Sequence, residues 1–429
     1  MSALETPSPD DKISCDLVIC RLAQVASPAG NEGPVRGAAM DAVEVIEGDV
    51  WIACSYGEIV AIGQGYEIRD RLELSDDAEV IDAHGMVAIP GLIDCHTHAC
   101  YAGDRVAEFD LRVRGASYEE IHAAGGGILS TVEATRAASQ GELLDLLSPR
   151  LTAMLEHGTT TVEVKSGYGL SFESELTMLR AIEDAYGIAH QRINPTCLAA
   201  HAVPPEADDA DMHIATCVGG ILPEVSEWAL ARQADIFLER GAFDVEQARR
   251  YLAKAKELGL TPRLHGDQFS EMGAVDLAIE IGARSIDHLE ATKARGVAKL
   301  AKSDVTAVLL PTAALTLNLP MPPARALIDK GAIVALASDF NPGSSPCDSL
   351  PTVMHLACTQ LHLTPAEALT AVTANAAHVL EIEDVGRLRV GNRADIVIID
   401  APDWRYLAYR LGTDAVRRVV IDGSEVYES

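Results

Sequence analysis

From residue 89 to residue 337, short apolar runs rich in β-branched residues alternate with stretches of helical period, and that alternation most restricts the fold. It is the pattern of a parallel sheet wound with crossover helices. Eight strands are predicted: Leu92–Thr97, Thr160–Lys165, Asn194–Ala199, Ala234–Leu238, Pro262–His265, Ser285–His288, Ala307–Leu310 and Ile333–Ala337. Helical pieces separate them, among them Glu173–Tyr186, Val245–Leu258, Ala274–Ile281 and Gly296–Ala301. Eight strand–helix units favour a closed (β/α)8 TIM-type barrel, although an open doubly wound α/β sheet would produce a similar string. Gly125-Gly126-Gly127 follows a helical stretch, so it lacks the preceding strand that a phosphate-binding glycine loop needs.

The flanks have another texture. Gly48–Ile52, Glu58–Gly63 and Glu79–Ala83 read as an antiparallel β unit after a frayed first dozen residues, and similar runs return at Ala394–Asp400 and Arg417–Gly423. Each piece is too small to fold well alone, so both termini are expected to pair into one small β-sandwich domain. The predicted division is residues 1–88 and 385–429 for the sandwich and 89–384 for the barrel.

The barrel would begin with Ile89-Pro90-Gly91-Leu92-Ile93-Asp94-Cys95-His96-Thr97-His98. Residues i and i+2 of a strand share a face, so both imidazoles aim at one point, while Cys95 faces away. Alone, a His-x-His pair is more often two surface histidines. What raises it is that the other predicted strands also end in reactive groups: Lys165-Ser166-Gly167-Tyr168, His201, Glu239-Arg240, His265 with Asp267 and Gln268, Asp287-His288, and Ser338-Asp339. In a parallel barrel these ends share one rim, where such folds put their chemistry. His96, His98, His265 and Asp339 then form a candidate metal set with one position left for water. Lys165 could bridge two metals after carbamylation, but a buried structural ion pair is the favoured reading.

Composition excludes other roles. A net charge of −30 opposes binding to nucleic acid or anionic membranes, and only 4% aromatic residues argue against a base-stacking platform. No apolar run reaches membrane-spanning length and no leader pattern opens the chain, so a soluble cytoplasmic protein is expected. The nine cysteines are scattered without a Cys-x-x-Cys spacing and are expected to be reduced thiols.

The Pro90–His98 segment resembles the first-strand signature of the amidohydrolase superfamily. Within it, Gly103-Asp104-Arg105, Glu108-Phe109, Arg114–Ile121, Gly125–Ile128, Glu163–Leu170, Ala200–Pro205 and Asn341–Pro346 are similar to segments of the imidazolonepropionase family, in order over roughly residues 80 to 400. The resemblance implies a histidine-degradation hydrolase that opens the ring of 4-imidazolone-5-propanoate to give N-formimidoyl-L-glutamate. It implies one zinc or iron ion per chain on His96, His98, His265 and Asp339, a small-molecule substrate, and a homodimer as the family's common assembly. It also implies substrate contacts at Arg105, Tyr168, His201, Gln268, Asn341, Gly343 and Ser344, with Asp339, His288 and His201 catalytic.

Residue chemistry agrees with parts of this. A propanoate tail calls for a guanidinium, and Arg105 lies seven residues past His98, although Asp104 and Glu108 nearby offer it an ordinary ion pair. Asp339 would move the water's proton to the leaving nitrogen, with His288 and His201 steadying the oxyanion. Gln268 stands where deaminating relatives carry a proton-shuttling glutamate. An amide cannot relay a proton, which favours amide hydrolysis. Leu310–Asn318 lacks the aromatic residues the family carries after the seventh strand. Another five-membered cyclic amide, a thio-substituted imidazolone or an amidine therefore stays open as substrate.

Overall fold

The computed structural model describes residues 12–30, 32–115 and 126–429. The amino-terminal residues 1–11, residues 116–121 of the Arg114–Ile121 motif and Gly125 lie outside the described residues. Among the described residues the chain forms two eight-stranded sheets. The first combines β1 (Ile13–Pro28), β2 (Val43–Ser55), β3 (Glu58–Gln64), β4 (Leu72–Asp82) and β5 (Val87–Pro90) with strands from the other end of the chain. The second runs in chain order through β6 (Leu92–Asp94), β7 (Thr159–Lys165), β8 (Arg192–Ala200), β9 (Gln233–Leu238), β10 (Thr261–Gly266), β11 (Ser285–His288), β12 (Thr306–Leu309) and β13 (Val334–Leu336). β14 (Ile396–Ile399), β15 (Val416–Ile421) and β16 (Ser424–Glu428) complete the first sheet.

All eight predicted barrel strands are present, Ser285–His288 with its predicted bounds and the other seven shifted at one or both ends by one to three residues. Every neighbouring pair is parallel. The ring closes between its first and last strands through a parallel bridge from Thr97 to Phe340, with Asp339 N donating to His96 O (3.0 Å) and His98 N to Phe340 O (2.9 Å). The fold is therefore a TIM-type barrel, not an open sheet.

The terminal unit differs from expectation in strand direction. β2 is antiparallel to β1, but β4 and β5 both pair with β1 in parallel, along Ile13–Cys20 and Gln24–Val25. The β2–β3 hairpin and the short helix Gly65–Arg69 carry the chain back before β4 starts, so it re-enters in the direction of β1. Side chains of β1, β2, β3, β4, β5, β14 and β15 meet in one apolar cluster, so the sheet curls on itself as a small sandwich.

Period-two alternation seats the sandwich on the barrel. Ala88, Ile396, Ile398 and Val420 point into the sandwich cluster, whereas their neighbours Val87, Ile89, Val397, Ile399, Val419 and Ile421 belong to the large cluster shared with the barrel helices. β5 passes directly into β6 through Pro90-Gly91, and Gly91 N donates to Asp395 O (2.8 Å). A side chain at Gly91 would meet Thr160, its Cβ lying 2.2 Å from Oγ1 and 2.9 Å from Cβ of that buried residue.

The nine cysteines are all free. Among the described residues no helix is long and apolar enough to cross a membrane.

Overpacking at the hinge between the two sheets should be costly. Gly91→Ala is expected to lower stability by ~1–3 kcal/mol, read from the denaturant midpoint at unchanged slope.

Candidate metal centre and substrate pocket

Alternate residues on the middle strands of the barrel divide into two sets. Val162, Val164, Ala234, Ile236, Leu264 and Ile286 pack with the helices, and the residues between them turn inward. Glu163 on β7 reaches Arg263 on β10, three strands away, which only the barrel interior allows. Below the rim this interior holds Lys165 and Arg263 with Glu163, Asp235 and Asp287, all with fully buried side chains. Lys165 Nζ lies 2.6 Å from Glu163 and 2.9 Å from Asp235. Arg263 donates to Asp287 (2.7 Å), Gln233, Ser285 Oγ and Cys95 O.

Two of these carboxylates face histidines. Asp287 Oδ2 is 2.5 Å from His96 Nδ1, and Asp235 Oδ1 is 3.0 Å from His265 Nδ1. A carboxylate on Nδ1 keeps the proton there and leaves Nε2 as the bare donor atom. The Nε2 atoms of His98 and His265 lie 3.3 Å apart. Asp339 Oδ1 is 3.5 Å from His96 Nε2 and 3.4 Å from His98 Nε2. Edges near 3.4 Å are those of a roughly tetrahedral shell with ligand bonds of about 2.1 Å. His96 Nε2 is buried without a hydrogen-bond partner, and it converges with the facing Nε2 atoms of His98 and His265 on one point that a cation would satisfy. The residues present therefore fit a metal ion. His96, His288 and Asp339 form a second convergent triad around the same His96.

Burial, reinforced by His288 and Lys165, lowers His265 to about 3 despite the opposing Asp235, so it stays neutral as a ligand must. Burial and Arg263 also lower Lys165, but Glu163, Asp235 and Asp287 more than reverse this and keep the ammonium charged. That is the buried ion pair expected of Lys165. Cys95 joins an apolar cluster with Ile93, Val308 and Ala335, apart from the histidines.

A family model described as the amidohydrolase family matches residues 87–426. The chain belongs to the amidohydrolase family. It is 55% identical over 409 residues to the imidazolonepropionase of Rubrobacter xylanophilus, covering 95% of this chain and 97% of that protein. It is 46% identical to the imidazolonepropionase of Herpetosiphon aurantiacus, covering 92% and 94%, and 44% identical to that of Deinococcus radiodurans, covering 94% and 98%. Among solved structures, an adenosine deaminase from Xanthomonas campestris with bound zinc superposes with a TM-score of 0.70 at 19% identity, covering 96% of this chain and 93% of that one. That likeness is one of fold.

Of the other residues predicted for this amidohydrolase, His201, Tyr168 and His288 lie beside the three histidines. His201 stacks on His98 with ring centres 5.0 Å apart, and its Nδ1 is 3.0 Å from Gly167 O. A carbonyl can only accept, so this Nδ1 carries the proton and Nε2 is an acceptor. Burial lowers His201 to about 3. Tyr168 stands 5.9 Å from His98 and 5.4 Å from His201, ring to ring, with its phenol pushed well up by burial. Burial lowers His288 too, but Glu290, 3.4 Å from its Nδ1, together with Asp339 and Asp287 raises it overall. Gln268 is buried just past the end of β10.

The side chain of Asn341 is consumed by its own loop. Its Nδ2 donates to Asp339 O and Ser344 Oγ, and its Oδ1 accepts from the N–H groups of Gly343 and Ser344. Ser344 Oγ is 3.4 Å from Asp339 Oδ2. Arg105 pairs bidentately with Glu108, at 2.8 and 2.6 Å, so the ion pair offered by its neighbours forms. It does so half-buried at the rim, with Nη1 against Gly343, where a Cβ would fall 2.1 Å away.

Sequence reasoning passed over several groups. Asp235, Arg263 and Glu290 were not singled out, though charged residues at alternate positions of apolar strands were a signal for the first two. Glu175 accepts from the N–H groups of Gly167, Gly169 and Leu170 and so shapes the loop carrying Tyr168. Tyr101, with Arg150 over its ring at 3.5 Å, fills the space between Tyr168 and Phe340.

Asp287→Asn weakens the fixed Nδ1–H of His96 and is expected to cut metal affinity by roughly 10- to 100-fold, while Cys95→Ala leaves metal content unchanged. Metal analysis after dialysis against a graded chelator checks both. In metal-free protein, His265 and His201 stay neutral while the unfolded chain takes up protons below its ordinary value of 6.5. Stability should therefore be intact above about pH 6.5 and fall as pH drops toward 4, by at most about 1.4 kcal/mol per pH unit for each histidine. Denaturant titrations at stepped pH provide the measurement.

Proposed function

We propose that this chain hydrolyses 4-imidazolone-5-propanoate, opening the ring to give N-formimidoyl-L-glutamate. One feature carries this reading most. Asp339 stands between the reaction centre and the tail site, with Oδ1 among the histidine nitrogens and Oδ2 beside Ser344, in the loop that packs on Arg105. The named imidazolonepropionases, similar over nearly the whole chain, supply the substrate.

His96, His98 and His265 through Nε2 and Asp339 through Oδ1 would hold one zinc or iron ion. Such an ion supplies Lewis acidity, which brings a water near its deprotonation point at neutral pH and polarises a carbonyl. Asp339 takes the water's proton on Oδ2. The water oxygen bonds to the ring carbonyl carbon, the ring C–N bond breaks, and the nitrogen leaves with that proton. His288, whose proton is retained by Glu290 and Asp339, donates to the oxygen as negative charge develops there.

His201 takes a different part from the one expected of it. With its proton committed to Gly167 O, its Nε2 accepts from a ring N–H, and the oxyanion role rests on His288. Tyr168 keeps its proton and offers a donor beside it. Gln268 gives an amide where a deaminase needs a carboxyl group, so loss of an exocyclic amine is disfavoured. Arg105 meets the propanoate beside the Asn341–Ser344 loop, against which its Nη1 rests.

Metal-loaded protein is expected to convert imidazolonepropanoate to N-formimidoyl-L-glutamate and to be far slower on hydantoin or an aminated heterocycle. Arg105→Ala should raise KM for the tailed substrate by roughly one to two orders of magnitude, the loss of a charge-assisted pair of about 1.5–3 kcal/mol, while kcat moves less. Indifference of Arg105→Ala to a carboxylate tail would move the tail site elsewhere.

A further inference from the structure

The Arg105 pair raises a problem of charge. A guanidinium bound bidentately by a carboxylate is locally neutral and attracts an incoming carboxylate only weakly. Glu108, however, carries more than Arg105. Its Oε2 accepts from Arg105 Nε (2.8 Å) and Gly127 N (2.8 Å), and its Oε1 from Arg105 Nη2 and Arg112 Nη2, both at 2.6 Å. Glu108 is nearly buried, with a side-chain exposure of 6% against 15% for Arg105 and 25% for Arg112. Burial alone would raise its carboxyl, but the two arginines and Gly127 hold it below its ordinary value and therefore ionised.

One carboxylate beneath two guanidiniums leaves the cluster at net +1. Of the nearby acids among the described residues, Asp110 pairs with Arg114 at an exposed position, and Asp104 is exposed to solvent, which screens it. Arg112 also reaches the pocket loop, its Nη1 donating to Gly343 O at 3.2 Å. Gly343 is the residue against which Arg105 Nη1 rests. Arg112 therefore touches both halves of the tail site, the carboxylate that locks Arg105 and the carbonyl of the loop opposite.

We infer that Arg112 is a second determinant of carboxylate specificity, a positioning residue that acts through Glu108 and Gly343. It restores the positive charge that Glu108 removes from Arg105, from a position bonded to both that carboxylate and the carbonyl of Gly343. Glu108 in turn fixes Nε and Nη2 of Arg105, so that Nη1 is the edge presented. This rests on Arg105 as the partner of the tail.

The test is steady-state kinetics of metal-loaded protein on imidazolonepropanoate and on its propanamide analogue, whose tail has the same shape and no charge. Arg112→Met is expected to raise KM for the carboxylate substrate roughly tenfold, as for a unit charge removed several ångströms away. It should leave kcat within about threefold and the analogue's kcat/KM within about twofold, since the change is electrostatic. Arg112→Lys should recover most of the loss. Equal losses on both substrates, or none on either, would overturn the inference. Arg105→Ala serves as the reference. If it discriminates between the two tails and Arg112→Met does not, this inference alone falls; if Arg105→Ala does not discriminate, the reading of Arg105 falls and takes this one with it.

Discussion

The whole site rests on two cations that have no contact with water. Lys165 and Arg263 lie inside the barrel with Glu163, Asp235 and Asp287, and none of the five side chains is exposed. Burying an isolated charge costs several kcal/mol, and removing one partner of a buried pair typically destabilises by about 3–5 kcal/mol. Such a lattice is therefore tolerable only if complete, and each member here has at least two partners or faces a histidine. Its product is orientation. Asp287 and Asp235 fix the Nδ1 protons of His96 and His265 and turn both Nε2 atoms to one point.

The same point lies on the seam of the barrel. His96 and His98 follow the first strand and Asp339 the last, and the backbone bonds that close the ring run between these residues. Asp339 and His288 adopt positive φ, 54° and 85°, an unfavourable conformation for residues with side chains. Closure of the ring and the packed loop of Asn341 hold Asp339 there, so the fold bears the local strain that aims the carboxylate.

Around this centre three rim loops are each gathered by a buried glutamate. Glu175 binds three backbone N–H groups beneath Tyr168, Glu239 binds those of Phe269 and Ser270 beside Gln268, and Glu108 binds Gly127 N and two arginines at the tail site. Loops seldom carry enough apolar surface to order themselves, and a carboxylate accepting several N–H groups orders them by charge-assisted bonds instead. The pocket is thereby built from pieces that are rigid before substrate arrives, which lowers the ordering entropy lost on binding.

The barrel was legible in the sequence because its signal is local: eight apolar runs separated by helical periods, with His-x-His and other polar groups at their ends. The four metal-ligand candidates followed, since strand ends in a parallel barrel share one rim whatever the details of packing. Direction in the terminal sheet was not legible, because parallel or antiparallel pairing of β4 with β1 depends on how the chain returns through a hairpin and a short helix. The partners of Asp235 and Arg263 were not legible either, since they lie on other strands across the barrel, far away in sequence. The shared carboxylate of Arg105 and Arg112 follows from helical spacing at i,i+3 and i,i+4, whereas tertiary structure alone decided that the proton of His201 is committed to Gly167 O and that Arg112 reaches Gly343. Protonation and local charge depend on distances of about 3 Å between atoms far apart in sequence, and only the closed barrel sets those distances.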